Sequence, residues 1–176
     1  MLFFRPSIED YVKSKELLKS VVQQYLPGRM IFPVPGDGLC AFHAFRCALR
    51  DEKGIDVTLD EMKDSLKAHI IQKQDHYEEV HYQPWKTLLT DIDLLFKDPL
   101  KNYNTDSGDL FLFALGVVYS VNVYIVKTEQ DDYRFSEVCQ FGFPHTIYLA
   151  RSLSIHIDPI IRMQQVCFDM KLQITY

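Results

Sequence analysis

The amino-acid sequence predicts a single α+β domain over residues 1–176, a small central β-sheet flanked by helices. Three observations predict it. Capping signals followed by apolar stripes of helical period recur through the first part of the chain, runs of β-branched and aromatic residues gather after Val121, and no repeat, low-complexity tract or linker divides the 176 residues. That length suits one domain with a real core.

In chain order, Ser7 with Asp10 reads as a capping box opening a helix that Pro27-Gly28 ends, its apolar residues including Val12, Leu17, Leu18, Val21 and Val22. Arg29–Val34 reads as a strand. Met30 to Ala44, MIFPVPGDGLCAFHA, then runs from an apolar stretch through a two-glycine turn into a helix opened by Cys40. Thr58 with Glu61 repeats the capping signal, and Leu59, Met62, Leu66 and Ile70 form a helical stripe. A further helix is expected from Trp85 to about Phe96, buried through Leu88, Leu89, Ile92 and Leu95. These stripes read as core. Strands are expected at Val121–Val126, Tyr133–Val138, Thr146–Ala150 and Leu153–Ile157, with Val166–Tyr176 as an addition.

Composition narrows the function classes. Hydrophobic residues make up 47% and charged residues 24%, a globular balance, and the net charge of -5 argues against a general nucleic-acid binder. No apolar run approaches the ~20 residues of a membrane span, and Met1 to Pro6 is too short for a signal peptide. A cytoplasmic protein, monomeric and without membrane attachment, is expected. Cys40, Cys47, Cys139 and Cys167 follow no disulfide framework, and Cys40, His43 and Cys47 lack a C-x-x-C pair, so neither a metal nor a cofactor is expected. His69, His76 and His81 lie along a polar stretch and read as exposed.

Two segments carry chemistry. A cysteine at a helix N-terminus sits where unpaired N–H groups and the macrodipole favour a thiolate, and the N–H groups of Cys40, Asp37 and Gly38 point at the space where an oxyanion would form. Gly36 and Gly38 allow the positive φ such a turn needs. Cys40 also fits a small buried residue under a tight turn. In Thr146 to Ile160, TIYLARSLSIHIDPI, two short strands or one broken pair, a period of two puts His156 and Asp158 on one face and Ile155 and Ile157 on the other. Same-face neighbours on a strand lie ~6.5 Å apart at Cα, close enough for a carboxylate to orient an imidazole. Taken alone that face suits a solvated edge strand. With Cys40 it completes a nucleophile, a base and an orienting acid. His145, after Pro144 in a turn, has no same-face carboxylate and stands second to His156.

GDGLCAFHAF followed much later by a strand ending in H-x-D resembles the ovarian-tumour (OTU) cysteine proteases, and Ser107 to Val126, SGDLFLFALGVVYSVNVYIV, looks like that family's middle helix and core strand. The resemblance implies a papain-like fold with Cys40 as nucleophile, His156 as general base and acid, Asp158 orienting His156, Asp37 shaping the oxyanion turn, and His43 as a helix residue near the site. It implies cleavage of isopeptide bonds at the C-terminal Gly-Gly of ubiquitin or a ubiquitin-like modifier, through a channel that only residues without side chains can thread. Tyr77 to Trp85 is a candidate for part of the modifier's docking surface. The chain departs from the family in Leu39, where Asn is usual, in Asp106, where Trp is usual, and in an apolar residue, Phe111, where an acid is usual. A domain like this also looks like those that RNA viruses carry at the start of replicase chains. Two other readings use the same residues: a modifier-binding module with little catalysis, and a protease that processes its own polyprotein.

Overall fold

A computed structural model of the chain describes residues 7–103, 105–129, 132–153 and 156–163, with only the backbone at 105–107. The expected strand at Val166–Tyr176, Cys167, Ile155 and the segment Met1 to Pro6 lie outside the described residues. The order is α1 (Ile8–Tyr25), β1 (Arg29–Ile31), α2 (Cys40–Lys53), α3 (Leu59–Gln72), α4 (Gln74–Glu79), α5 (Trp85–Lys97), α6 (Pro99–Asn102), α7 (Thr105–Tyr119), β2 (Val121–Glu129), β3 (Asp132–Cys139), β4 (His145–Ser152) and β5 (His156–Arg162). The architecture is α+β, as expected.

Both capping boxes form. Ser7 and Asp10 cap each other's backbone at the start of α1, and Thr58 and Glu61 do so at α3. The five strands make one mixed sheet in the order β1-β5-β4-β2-β3, parallel between β2 and β4 and antiparallel elsewhere. Parallel β2 and β4 need a crossover past the β2–β3 hairpin, and buried Asn122 holds it: its Nδ2 donates to the Phe143 carbonyl at 2.8 Å and its Oδ1 accepts from the N–H groups of Phe141 and Phe143.

The alternation of strand side chains divides the interior in two. On one face Val121, Val123, Ile125, Ile147, Leu149 and Ile157 join the main core with α2, α3, α5 and α7. On the other, Val126, Ala150 and Ile160 meet Leu18, Val21 and Val22 of α1 in a smaller core. Val12, expected among the apolar face of α1, is half exposed because it lies on the side of the helix away from buried Ser14, Leu18 and Val21, which face the sheet.

Two strand expectations are corrected. Regular pairing of β1 ends at Ile31 instead of Val34, because Pro33 and Pro35 bring no N–H to the ladder. The strand expected at Leu153–Ile157 instead begins at His156 and continues to Arg162, because Leu153, at φ 49°, belongs to the turn after β4. The short helices α4 and α6 have no counterpart in the sequence reading.

Candidate active site

Pairing of β1 with β5, Arg29 opposite Arg162 and Ile31 opposite Ile160, joins the two chemical segments. Beyond β1 the chain keeps running beside β5. Phe32 N–H donates to the Pro159 carbonyl at 3.0 Å, Val34 N–H donates to Asp158 Oδ1 at 3.1 Å, and Gly36 lies against the His156 ring. The next three residues, Asp37 to Leu39, turn into α2, whose first residue is Cys40.

The structure brings Cys40, His156 and Asp158 together. His156 Nε2 and Asp158 Oδ1 are 2.9 Å apart, on the one face that the period of two gives them, and Cys40 lines the same cleft as that imidazole. The Asp158 hydrogen bond foremost, and then the neighbouring Cys40, outweigh burial and hold the imidazolium up to about 9. Asp158 is buried, which taken alone raises a carboxyl pKa. Hydrogen bonds from His156, Lys15 and the Val34 N–H outweigh that and hold it below the usual range.

Asp37 organises the turn, and its hydrogen bonds go to Leu39 and His43, not to Cys40 or His156. Its Oδ1 accepts from the Leu39 N–H at 2.9 Å, and its Oδ2 pairs with His43 Nε2 at 2.9 Å, which gives His43 a definite place beside the loop. Burial works against the Asp37 carboxylate, yet the His43 and Leu39 bonds keep its pKa below the ordinary value. Gly38 takes the expected positive φ, +88°, whereas Gly36 does not. Leu39, at the N-cap, offers no side-chain cap to the first turn of α2 and is turned into the main core. The departure from Asn is therefore accommodated by packing. Phe111 is likewise core, its ring centroid 6.4 Å from that of Phe42. The Asp106 side chain lies outside the described residues.

Cys40 and His156 open into a cleft of about 300 Å³ between Gly36 and Gly38. Tyr11, Tyr103 and Leu100, the last 75% exposed, give it an apolar rim. A Cβ on Gly38 would stand 2.5 Å from the Pro99 carbonyl carbon, so α6 packs directly on the turn. His145 stands apart. It begins β4 and faces Glu52 at 3.4 Å, near the far end of α2, roughly 18 Å of helical rise from Cys40. His76 is exposed as expected, but His69 and His81 are half-buried around Tyr77, which is itself core. Of the segment Tyr77 to Trp85, Val80 and Tyr82 are exposed.

Sequence reasoning missed Lys15. Its Nζ meets Asp158 Oδ2 at 2.7 Å and lies 5.2 Å from the centroid of the Tyr11 ring. No local signal separates it from Lys13 and Lys19, which pair with Glu9 and Glu16 along the same helix. No disulfide links Cys40, Cys47 and Cys139, and no group of three metal-ligating side chains occurs among the described residues.

No family model and no curated protein matches the chain. Solved structures do. The OTUD1 OTU domain superposes with a TM-score of 0.66 at 15% identity, covering 88% of this chain and 98% of its own. The viral OTU domain protease from Taggert virus gives 0.57 at 16%, covering 77% and 80%. An OTU domain in complex with ubiquitin gives 0.53 at 14%, covering 77% and 71%. The fold is therefore that of the OTU domains.

Proposed function

We propose that this OTU-fold chain is a deubiquitinating cysteine protease, hydrolysing isopeptide bonds at the C-terminal Gly-Gly of ubiquitin or a ubiquitin-like modifier, in the cytoplasm and as a monomer. The observation that carries the reading is one cleft lined by a helix-opening cysteine and a histidine, with the histidine hydrogen-bonded to a buried aspartate behind it. An OTU fold supports it, as does one similar domain having been solved in complex with ubiquitin.

In the reaction, the Cys40 sulfur attacks the carbonyl carbon of the scissile amide, and the oxyanion is held by N–H groups at Asp37, Gly38 and Cys40. The imidazolium of His156 gives its proton to the departing lysine amine, leaving a thioester on Cys40. His156, now neutral, takes a proton from water, whose oxygen displaces the thiolate and frees the modifier's carboxylate. Asp158 keeps the imidazole oriented throughout. Gly36 and Gly38 on the walls of the cleft suit an extended tail of residues without side chains, and the exposed Leu100 offers an apolar contact beside it.

The test is reaction of the purified protein with ubiquitin bearing a C-terminal electrophile, beside Cys40→Ala, followed by intact mass. One adduct that vanishes in the variant is the expected result. If folded protein yields none with ubiquitin or with ubiquitin-like electrophiles, the reading fails.

A further inference from the structure

We propose that Lys15 is a positioning residue of this site: its ammonium, on α1, holds the Asp158 oxygen that His156 does not use, and so sets how much of the carboxylate's charge reaches the imidazole. The proposal rests on the triad reading above. The Asp158 side chain is only 2% exposed, and its oxygens divide their partners. Oδ1 accepts from the Val34 N–H and meets His156 Nε2, while Oδ2 meets Lys15 Nζ. A buried carboxylate oxygen without a partner is costly and free to turn toward a new one. Lys15 removes both problems.

The lysine is held as well as holding. Its side chain is 27% exposed and its head lies over Tyr11, a rim residue of the cleft. The charged and titratable groups facing the His156–Asp158 pair are Cys40 from α2 and Lys15 with Tyr11 from α1, with Ser152 of β4 opposite His156. Lys15 is therefore a positive charge placed against the carboxylate but not on the imidazole. It draws part of the field of Asp158 to itself, which eases loss of the His156 proton to a leaving amine. Burial alone would lower the Lys15 pKa, yet the Asp158 contact raises it, so the charge stays in place at neutral pH.

The test follows the protonation of His156 by NMR of the histidine-labelled chain across pH, with the rate of Cys40 alkylation by iodoacetamide measured beside it. Neither readout needs ubiquitin. Lys15→Gln is expected to raise the His156 midpoint by about one pH unit, with the alkylation profile moving the same way, and Lys15→Arg to restore both. Should Lys15→Gln lose the fold by circular dichroism, Lys15→Met carries the same expectation. The proposal is overturned if the charge-removing variant titrates as the wild type while Asp158→Asn lowers the midpoint. If Asp158→Asn also leaves it unmoved, the triad reading falls with it. If the midpoints move as expected but ubiquitin electrophiles do not react, Lys15 keeps its role and only the substrate assignment fails.

Discussion

His156 is where charge, geometry and proposed chemistry meet. Its ordinary pKa of 6.5 is raised to about 9 in the fold, by Asp158 first and by Cys40 second. A raised basic group stabilises the fold fully below its unfolded pKa, and that stabilisation is lost as pH rises through the folded value. Asp158, lowered from 3.8, works in the opposite sense. It stabilises the fold above the unfolded pKa and ceases to as pH falls through its lower folded value. Both contributions are therefore complete between about pH 4 and 6.5, and that of His156 fades by about 9. Because the proposed reaction needs the His156 proton for the leaving amine and that imidazolium is held up to about 9, kcat/KM on a ubiquitin fusion should fall on an alkaline limb near pH 9. Asp158→Asn should lower kcat by about 10²- to 10⁴-fold and move that limb toward 6.5. A pH profile of the variant that overlays the wild type would remove Asp158 from the mechanism.

At the scale of elements, the turn between β1 and α2 is fixed by what packs on it. Gly38 is forced twice, by its φ of +88° and by the Pro99 backbone 2.5 Å from any Cβ, whereas Gly54, at φ +67°, has nothing within 4 Å. Gly54→Ala should cost about 1 kcal/mol from the backbone alone. Gly38→Ala should cost about 2–4 kcal/mol, because α6 must also move, and it should lose most of its reactivity toward a ubiquitin electrophile. Urea unfolding of the pair measures the difference, and equal losses would mean that the Pro99 contact does not count. The positive φ at Gly38 was legible in the sequence, and so were both capping boxes, since each depends on residues within three positions. The contact with Pro99 was not, for it joins residues 61 apart. Likewise the prolines that shorten β1 were visible, but the use of the freed Val34 N–H by Asp158 was not. His156 and Asp158 could be placed on one face because strand period is local; the cation beyond Asp158 could not, because α1 arrives from the other end of the chain.

Across the whole molecule, the two interior clusters differ in size and in what they hold. The main core gathers buried residues from α2, α3, α5 and α7 on one sheet face, while α1 is held by Leu18, Val21 and Val22 against Val126, Ala150 and Ile160 on the other. Fewer buried apolar contacts mean a lower local opening energy, so native-state hydrogen exchange should show α1 amides exchanging through a partial opening while α2 and α7 exchange only on global unfolding. Leu18→Ala, at a site 1% exposed, removes a side chain central to the smaller cluster and should cost about 2–5 kcal/mol. If α1 opens separately, that loss appears as faster exchange in α1 with α7 little changed. Exchange of α1 and α7 at one common energy would instead mean that the chain unfolds as a unit and the division into two clusters has no energetic meaning. The distinction bears on the site, because each opening of α1 takes Lys15 from Asp158 and Tyr11 from the rim of the cleft while leaving Cys40 and His156 on elements held by the main core. Leu18→Ala should therefore shift the alkaline limb in the direction of a lysine-free Asp158, toward higher pH, without touching any residue of the cleft.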